Sequence, residues 1–166
     1  MSKSNSTLTA ERLREVLDYD PMTGAFVWRV RTSSRAGQGD VAGFGDGKGY
    51  LAIRIDGVQV FAHRLAWFWT YGAWPFGEID HIDGDRSNNR ISNLRDATRS
   101  VNNQNQKRAQ NRSKSGVLGV FRDKKKWNAK IAVDGSTYNL GNYPTKGDAY
   151  AAYLGAKRLL HPGNTL

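Results

Sequence analysis

The stretch of sequence that decides the fold is residues 78–95, which read EIDHIDGDRSNNRISNLR. Asp80, Asp83 and Asp85 crowd carboxylates into a chain whose net charge is +10. Such carboxylates add nothing to the affinity for a polyanion, but a hard divalent cation can bridge them to phosphate. His81 adds an imidazole that can take a proton from an attacking water. Neighbours on one strand point to opposite faces, so Asp80 and His81 need a bend in order to converge.

Charge and composition indicate a nucleic-acid partner. The chain has 166 residues, with 25 Lys+Arg against 15 Asp+Glu and a pI near 10.0. By count from the sequence, residues 1–109 carry a net +3 and residues 110–166 a net +7, so the C-terminal third is expected to anchor a polyanion. The absence of cysteine excludes disulfides, Cys-zinc sites and thiol nucleophiles. No apolar run is long enough for a membrane span, and residues 1–9 do not resemble a secretory signal.

Local patterns predict two small α+β modules. The predicted elements are a helix after Thr9, a strand at 26–30, a loop at 32–49, a hairpin at 50–55 and 58–62, a helix at 63–71, a polar helix at 96–106, three strands within 117–141 and a helix at 145–160. Asp83, Asp85 and Asn88 are interpreted as turn residues, because Asx side chains imitate backbone hydrogen bonds.

The spacing of four residues carries a family resemblance. Asn93 follows His81 by twelve residues, and Asn102 follows nine residues later. Together with Asp80, this pattern resembles the HNH nuclease motif in its His-Asn-Asn form. Residues 19–24, 49–51 and 63–67 look like the front end of phage HNH endonucleases. The resemblance covers about residues 10–106.

The resemblance implies a ββα-metal fold, in which a hairpin and a helix surround one divalent metal per chain. It assigns His81 as the general base, Asp80 and Asn102 as metal ligands, and Asn93 as the residue that holds the His81 ring. An Asn ligand favours Mg²⁺, with Mn²⁺ as the other candidate.

Several further residues are given roles in the same region. Arg95 and Arg99 are candidates for phosphate contacts, although a solvated helix face explains them equally well. His63 is expected to serve as a core or scaffold residue. Many HNH relatives have a Cys-based zinc knuckle, which this chain lacks. Its supporting role is expected to fall to the aromatic cluster Trp67, Phe68, Trp69, Trp74 and Phe76.

The C-terminal segment resembles a second family. Along residues 127–133, Trp127, Ala129, Ile131 and Val133 share one face, and Asn128 and Lys130 lie on the other. Residues 116–162 look like the plant APETALA-two/ethylene-response-factor DNA-binding domain, although the sheet arginines of that family are mostly replaced. The residues expected to contact DNA in this module are Arg122, Lys124, Lys125, Lys126, Asn128 and Lys130.

The sequence therefore predicts an α+β protein with an N-terminal region at 1–106, whose HNH core spans about 50–106. A basic linker at 107–115 and a DNA-binding domain at 116–166 follow, the latter a three-stranded antiparallel sheet plus one helix. The expected function is that of a metal-dependent, homing-type endonuclease that nicks or cuts double-stranded DNA. A monomer is expected, with a dimer as the alternative, and no membrane or small-molecule substrate is involved.

Two rival functions follow from the same residues. The first is a DNA-binding regulator whose HNH site is inactive. The second is an RNA-binding protein, which is disfavoured because most aromatic residues lie at core positions rather than on an exposed stacking surface. If the chain is phage-encoded, as the resemblance suggests, it is expected in the cytoplasm of the bacterial host.

Overall fold

The computed structural model describes residues 8–33, 36–107, 109 and 113–165. Within them the chain forms small antiparallel sheets and four α-helices, so the predicted α+β class is confirmed. Contacts divide the chain into two compact units, Met1–Ala97 and Thr98–Leu166. This division falls earlier than the boundary predicted at residue 106, because the helix Arg99–Gln104 groups with the C-terminal unit. Of the predicted linker, residues 108 and 110–112 lie outside the described residues.

The described residues include eleven strands and four α-helices. The strands are β1 (Leu17–Tyr19), β2 (Phe26–Trp28), β3 (Val41–Ala42), β4 (Phe44–Gly45), β5 (Leu51–Ile55), β6 (Val58–Phe61), β7 (Glu78–His81), β8 (Leu94–Ala97), β9 (Val120–Asp123), β10 (Lys126–Val133) and β11 (Ser136–Tyr143). The helices are α1 (Ala10–Val16), α2 (Ala62–Tyr71), α3 (Arg99–Gln104) and α4 (Lys146–Leu160). No helix in the described part of the chain has both the length and the apolar character that a membrane crossing requires.

The first unit contains three sheets around one apolar core. Strands β1, β2 and β3 form one sheet, β4, β5 and β6 a second, and β7 pairs with β8. Leu13 of α1, Phe26 of β2, Ile53 of β5 and Leu65 of α2 are buried together in the core. The core thus holds α2 in place, and the polar residues of the candidate site lie on the β7–β8 hairpin.

Turn chemistry explains why the β5–β6 hairpin and α2 form where the sequence predicts them. Asp56 and Gly57 have φ angles of 49° and 80°, the left-handed values that a tight hairpin turn requires. Gly72 ends α2 in the left-handed conformation, with φ 69°, and its N–H donates to Phe68 O. Local sequence is sufficient in both places.

Three details between residues 32 and 104 differ from the predictions. The segment predicted as a loop at 32–49 includes β3 and β4, which are only two residues each and pair with β2 and β5. The polar helix predicted from residue 96 begins at Arg99, because residues 94–97 pair with β7 and the Thr98 hydroxyl caps the helix. Phe76 was expected in the supporting aromatic cluster, but its side chain is fully exposed.

The second unit is a three-stranded antiparallel sheet in the order β11-β10-β9, covered by α4. Val120, Ala129 and Ala149 are buried between the sheet and the helix. Along α4, Tyr153 and Lys157 are buried, whereas Leu160 is exposed.

Candidate active site

The candidate site lies at the end of the β7–β8 hairpin. Asp80 pairs with Arg95 and His81 pairs with Leu94 in the antiparallel register. The ladder continues for one more bond, from Ile82 N–H to the Asn93 carbonyl at 2.9 Å. His81 is therefore the last strand residue before a twelve-residue connection that returns at β8.

Asx turns shape this connection, as predicted. The Asp83 carboxylate accepts from Asp85 N–H at 2.8 Å, and the Asp85 carboxylate accepts from Ser87 N–H at 2.9 Å. Asn88 Nδ2 donates to Asp83 Oδ2 at 2.6 Å. The pKa values of Asp83 and Asp85 are lowered. Burial alone would raise the pKa of Asp83, but the hydrogen bonds from Asn88 and Asn93 outweigh this effect and lower it. Hydrogen bonds from Ser87 are the main cause of the lowered pKa of Asp85.

Asn93 fastens the connection at its base. Its Oδ1 accepts from Asp83 N–H at 3.0 Å, and its Nδ2 donates to Asp83 Oδ1 at 3.0 Å and to the Asn88 carbonyl at 2.8 Å. The sequence assigned Asn93 to hold the His81 ring by backbone or imidazole contacts. In the structure, these three side-chain bonds hold the backbone that follows His81.

The ring of His81 is instead bonded to Asn89. The distance from His81 Nε2 to Asn89 Oδ1 is 3.3 Å. Asn89 Nδ2 donates to the Ser87 carbonyl at 3.1 Å, and this orients the amide so that its oxygen faces the imidazole. Because an amide oxygen accepts hydrogen bonds, this contact favours the tautomer in which Nε2 carries the proton.

Asn89 contacts His81 at the candidate site and was not among the site residues predicted from the sequence. It is only 1% exposed, and its backbone carbonyl accepts from the Tyr19 hydroxyl at 2.7 Å. The turn interpretation was made for Asn88, and the sequence analysis gave Asn89 no role of its own. A turn reading fits Asn88, whereas the burial of Asn89 shows that its side chain belongs to the core of the site.

A second histidine packs against the first. The ring centroids of His63 and His81 are 5.1 Å apart, with their planes at 82°. Phe61 stacks on His63 at 5.4 Å, and Tyr50 contacts both imidazoles. Among the described residues, His63 Nδ1 has no hydrogen-bond partner. His63 is thus a buried scaffold residue, as expected, and it lies directly against the proposed base.

Burial keeps both imidazoles neutral. It lowers the pKa of His63 from its ordinary 6.5 to about 3, and repulsion from His81 and Arg64 adds to this effect. Burial also lowers the pKa of His81, although the bond to Asn89 and the nearby Asp83 charge oppose the shift. A neutral His81 retains the lone pair that a general base needs at pH 7.

The buried carboxylate of Asp80 forms an ion pair with the half-buried Arg95. Both Arg95 Nε and Arg95 Nη2 donate to Asp80 Oδ2, at 2.9 Å and 2.6 Å. Asp80 and His81 are successive residues of β7, and successive side chains of a regular β-strand point to opposite faces. Arg95, predicted to contact phosphate, has its guanidinium group on the carboxylate of the predicted metal ligand.

The remaining residues predicted near the metal lie on α3, in the second unit. Arg99 is exposed and Asn102 is half-buried. The Thr98 hydroxyl accepts from Val101 N–H at 3.3 Å and caps the helix. At its other end, Gln104 Oε1 accepts from Gly163 N–H at 3.1 Å. The C-terminal segment of the chain therefore holds the short helix that carries Asn102.

The DNA-contact residues predicted in the second unit fall into two groups. Lys124, Lys125, Lys126 and Lys130 are exposed, and Lys124 occupies a turn with φ 49°. Arg122 is also exposed, with its guanidinium 4.8 Å from the centre of the Trp127 ring.

Asn128 differs from these basic residues because it is buried. Its Nδ2 lies within hydrogen-bond distance of Asn139 Oδ1, Asn142 Oδ1 and the Gly141 carbonyl. Asn128 therefore links β10 to β11 in the position where a base contact was expected.

One family model matches part of the chain. Residues 60–104 match the HNH endonuclease family model. The match spans α2, the β7–β8 hairpin and α3, and it contains all four motif residues recognised in the sequence. No curated protein and no solved structure matches the chain.

The family match supports an HNH nuclease, and it implies DNA as the substrate. HNH nucleases generally use a divalent metal. In the described residues there is no group of three or more His, Cys, Asp or Glu that could hold a metal. The predicted ligand pair of one Asp and one Asn is of a different kind, since an Asn oxygen takes the place of a second acidic or imidazole group.

Proposed function

We propose that this protein is a metal-dependent endonuclease that hydrolyses phosphodiester bonds in double-stranded DNA. The observation that carries the proposal is His81, a buried imidazole with a lowered pKa, whose Nε2 lies 3.3 Å from Asn89 Oδ1. This group lies within the HNH-matching segment, at the end of a hairpin that leads into α3. That order of elements is the one a ββα-metal site requires.

The chemistry of the donor set fits a hard divalent cation. Asp80 offers carboxylate oxygens and Asn102 an amide oxygen, the ligand types that suit Mg²⁺ or Mn²⁺. Arg95 Nε and Arg95 Nη2 both donate to Asp80 Oδ2. When bound, one such cation per chain would stabilise the charge that develops on the phosphate and on the leaving oxygen.

The residues of the chain then divide the work of hydrolysis. His81 Nδ1 takes a proton from a water whose oxygen forms a bond to phosphorus, while the bond from phosphorus to the 3′ oxygen breaks. The imidazolium formed releases its proton to solvent, and the 3′ oxygen takes one up. By family resemblance the product is a 5′ phosphate and a 3′ hydroxyl. Asn89 keeps the ring in the productive tautomer, and Asn93 fixes the backbone beside it.

We also propose that the C-terminal part binds duplex DNA as an APETALA-two-like domain over residues 116–166, joined by the basic linker 107–115 to the nuclease region 1–106. The exposed Lys124, Lys125, Lys126 and Lys130 support this, as does the net +7 charge of residues 110–166. The buried amide of Asn128 is left out of the proposed DNA contacts. The homing type, phage origin, host-cytoplasm location and monomeric state are further proposals, which rest on the family resemblance.

A plasmid-cleavage experiment tests the proposal. Supercoiled plasmid is incubated with the protein and Mg²⁺, in parallel with EDTA, with His81→Ala and with Asn102→Ala. Asn103→Ala serves as the matched control, because Asn103 is the exposed neighbour of Asn102 on the same helix. We expect nicked or linear DNA with the unaltered protein and with Asn103→Ala. EDTA and the other two variants should abolish cleavage, while gel-shift binding is retained.

One observation favours a second candidate, a DNA-binding regulator with an inactive HNH site. The ion pair to Arg95 already compensates the Asp80 charge, so this carboxylate does not need a cation for its burial. DNA binding without cleavage in Mg²⁺ and in Mn²⁺, on plasmids of varied sequence, would select the regulator over the nuclease.

A further inference from the structure

Phe76 is exposed in a way that the core of the protein does not explain. Its exposed fraction is 106%, the highest of the exposed large apolar residues. The residues around it behave differently, since Pro75 is buried and Trp74 stacks on Phe68 with ring centroids 4.2 Å apart. The ring therefore projects into solvent from a segment that is otherwise packed, and it forfeits the free energy that its burial would contribute.

The backbone beneath the ring is fixed. The Phe76 N–H donates to Asp96 Oδ2 at 2.7 Å, and the Gly77 N–H donates to Asp96 Oδ1 at 2.8 Å. A Cβ atom at Gly77 would lie 2.4 Å from the Ala97 carbonyl oxygen, so only glycine allows this close approach to β8. One carboxylate thus clamps two successive amides, and the exposed ring is presented from a rigid base.

The clamp ties Phe76 to the hairpin of the candidate site. Asp96 follows Arg95 on β8, and Phe76 precedes β7, which ends at His81. His81 is the fifth residue after Phe76, which limits the distance between their Cα atoms to about 17 Å of extended chain. At a rise of about 3.4 Å per nucleotide along one strand, this corresponds to about five base pairs of DNA.

We propose that Phe76 is a wedge that inserts its ring between base pairs of the duplex bound at the nuclease site. The inference rests on the proposed function, because it requires His81 to meet a phosphate of the same duplex. Proteins that kink DNA insert exposed Phe, Leu, Ile, Met or Pro side chains between base steps from the minor groove. Phe76 has the side chain, the rigid support and the continuity with the site that this action needs.

Helix unwinding provides a test that needs no knowledge of the recognition sequence. Relaxed closed-circular plasmid is saturated with the full-length His81→Ala protein, treated with topoisomerase I and freed of protein, and its linking number is measured. Inserted wedges unwind the duplex and change the linking number. The same measurement is made with Phe76→Ala and Phe76→Leu in the His81→Ala background. Leu159→Ala is the matched control, as it truncates an 86% exposed apolar residue on α4.

We expect unwinding by the His81→Ala protein, by Phe76→Leu and by Leu159→Ala, and loss of unwinding with Phe76→Ala. Loss of stacking should also weaken gel-shift binding by Phe76→Ala roughly tenfold. The log–log salt slope should stay unchanged, because no charge is removed. Thermal melting of Phe76→Ala should match that of the parent protein, since the ring is outside the core.

Two outcomes would overturn the wedge while leaving the nuclease intact. One is equal unwinding with and without the Phe76 ring. The other is metal-dependent nicking by the unaltered protein together with no unwinding by the His81→Ala protein. If the protein neither nicks nor binds DNA, the proposed function itself fails, and the wedge fails with it. In that case, binding of another protein that depends on the Phe76 ring would show that the ring is a protein contact.

Discussion

Replacing His63 with Phe should flatten the pH dependence of stability in the first unit. In the folded protein, burial lowers the pKa of His63 from 6.5 to about 3. Between these two values the unfolded chain binds a proton that the folded chain excludes, so acid favours unfolding. The contribution of the neutral His63 to the free energy of unfolding is fully present above about pH 6.5. It decreases as the pH falls, and the decrease ends near pH 3.

The magnitude follows from the same two pKa values. Between pH 7.5 and pH 5, a proton taken up only by the unfolded chain costs about 2 kcal/mol of stability. This figure hardly depends on the folded pKa, provided that it lies well below 5. His81 is buried too, but it is present in both proteins, so the difference between them isolates His63.

Urea unfolding at the two pH values measures the effect. Trp28, Trp67, Trp69 and Trp74 lie in the first unit, so tryptophan fluorescence reports mainly on that unit. Between pH 7.5 and pH 5, the decrease in the free energy of unfolding should be about 2 kcal/mol smaller in His63→Phe than in the parent protein. His161→Gln, in the second unit, should leave the first transition unchanged. Equal losses in His63→Phe and the parent would refute the assignment of a buried, neutral His63.

Three further predictions concern the site and the proposed DNA contacts. Asn89→Leu should slow plasmid nicking by about tenfold to a hundredfold through loss of the His81 tautomer, with gel-shift binding unchanged; nicking at the normal rate would count against this role. Gly163→Ala would place a Cβ 2.5 Å from the Val101 carbonyl and should lower the melting temperature of the second unit, an effect that calorimetry would detect. Replacing Lys124, Lys125 and Lys126 together by Ala should reduce the log–log salt slope of binding by up to about 2.7, and an unaltered slope would remove these lysines from the phosphate contacts.

Local chemistry made much of the fold predictable. The Asp134-Gly135 turn between β10 and β11 has φ angles of 49° and 80°, the same geometry as the Asp56-Gly57 turn. Where an element depends on a distant partner, local sequence gave no signal. Strand β1 follows α1 directly and exists because Leu17 and Tyr19 pair with β2. A three-residue strand has too little periodicity to be distinguished from the end of a helix.

The candidate site was predictable in its residue types and less so in its contacts. The spacing along the chain identifies Asp80, His81 and Asn93, because the family motif is defined by that spacing. The contact between His63 and His81 joins α2 to β7, and no local pattern encodes it. The Asp80–Arg95 pair follows from the register of β7 and β8. This register could not be predicted, because a helix was predicted to begin at residue 96, within β8.

The loop between β7 and β8 shows why the site should be more sensitive to mutation than the fold around it. Hydrogen bonds among Asp83, Asn88 and Asn93 shape the loop, and each bond is worth about 1 kcal/mol net. The core of the first unit is built from other residues, such as Phe26 and Leu65. A single loop substitution can therefore displace His81 while the core stays folded. Variants of this loop should lose nicking activity well before they lose their thermal transition.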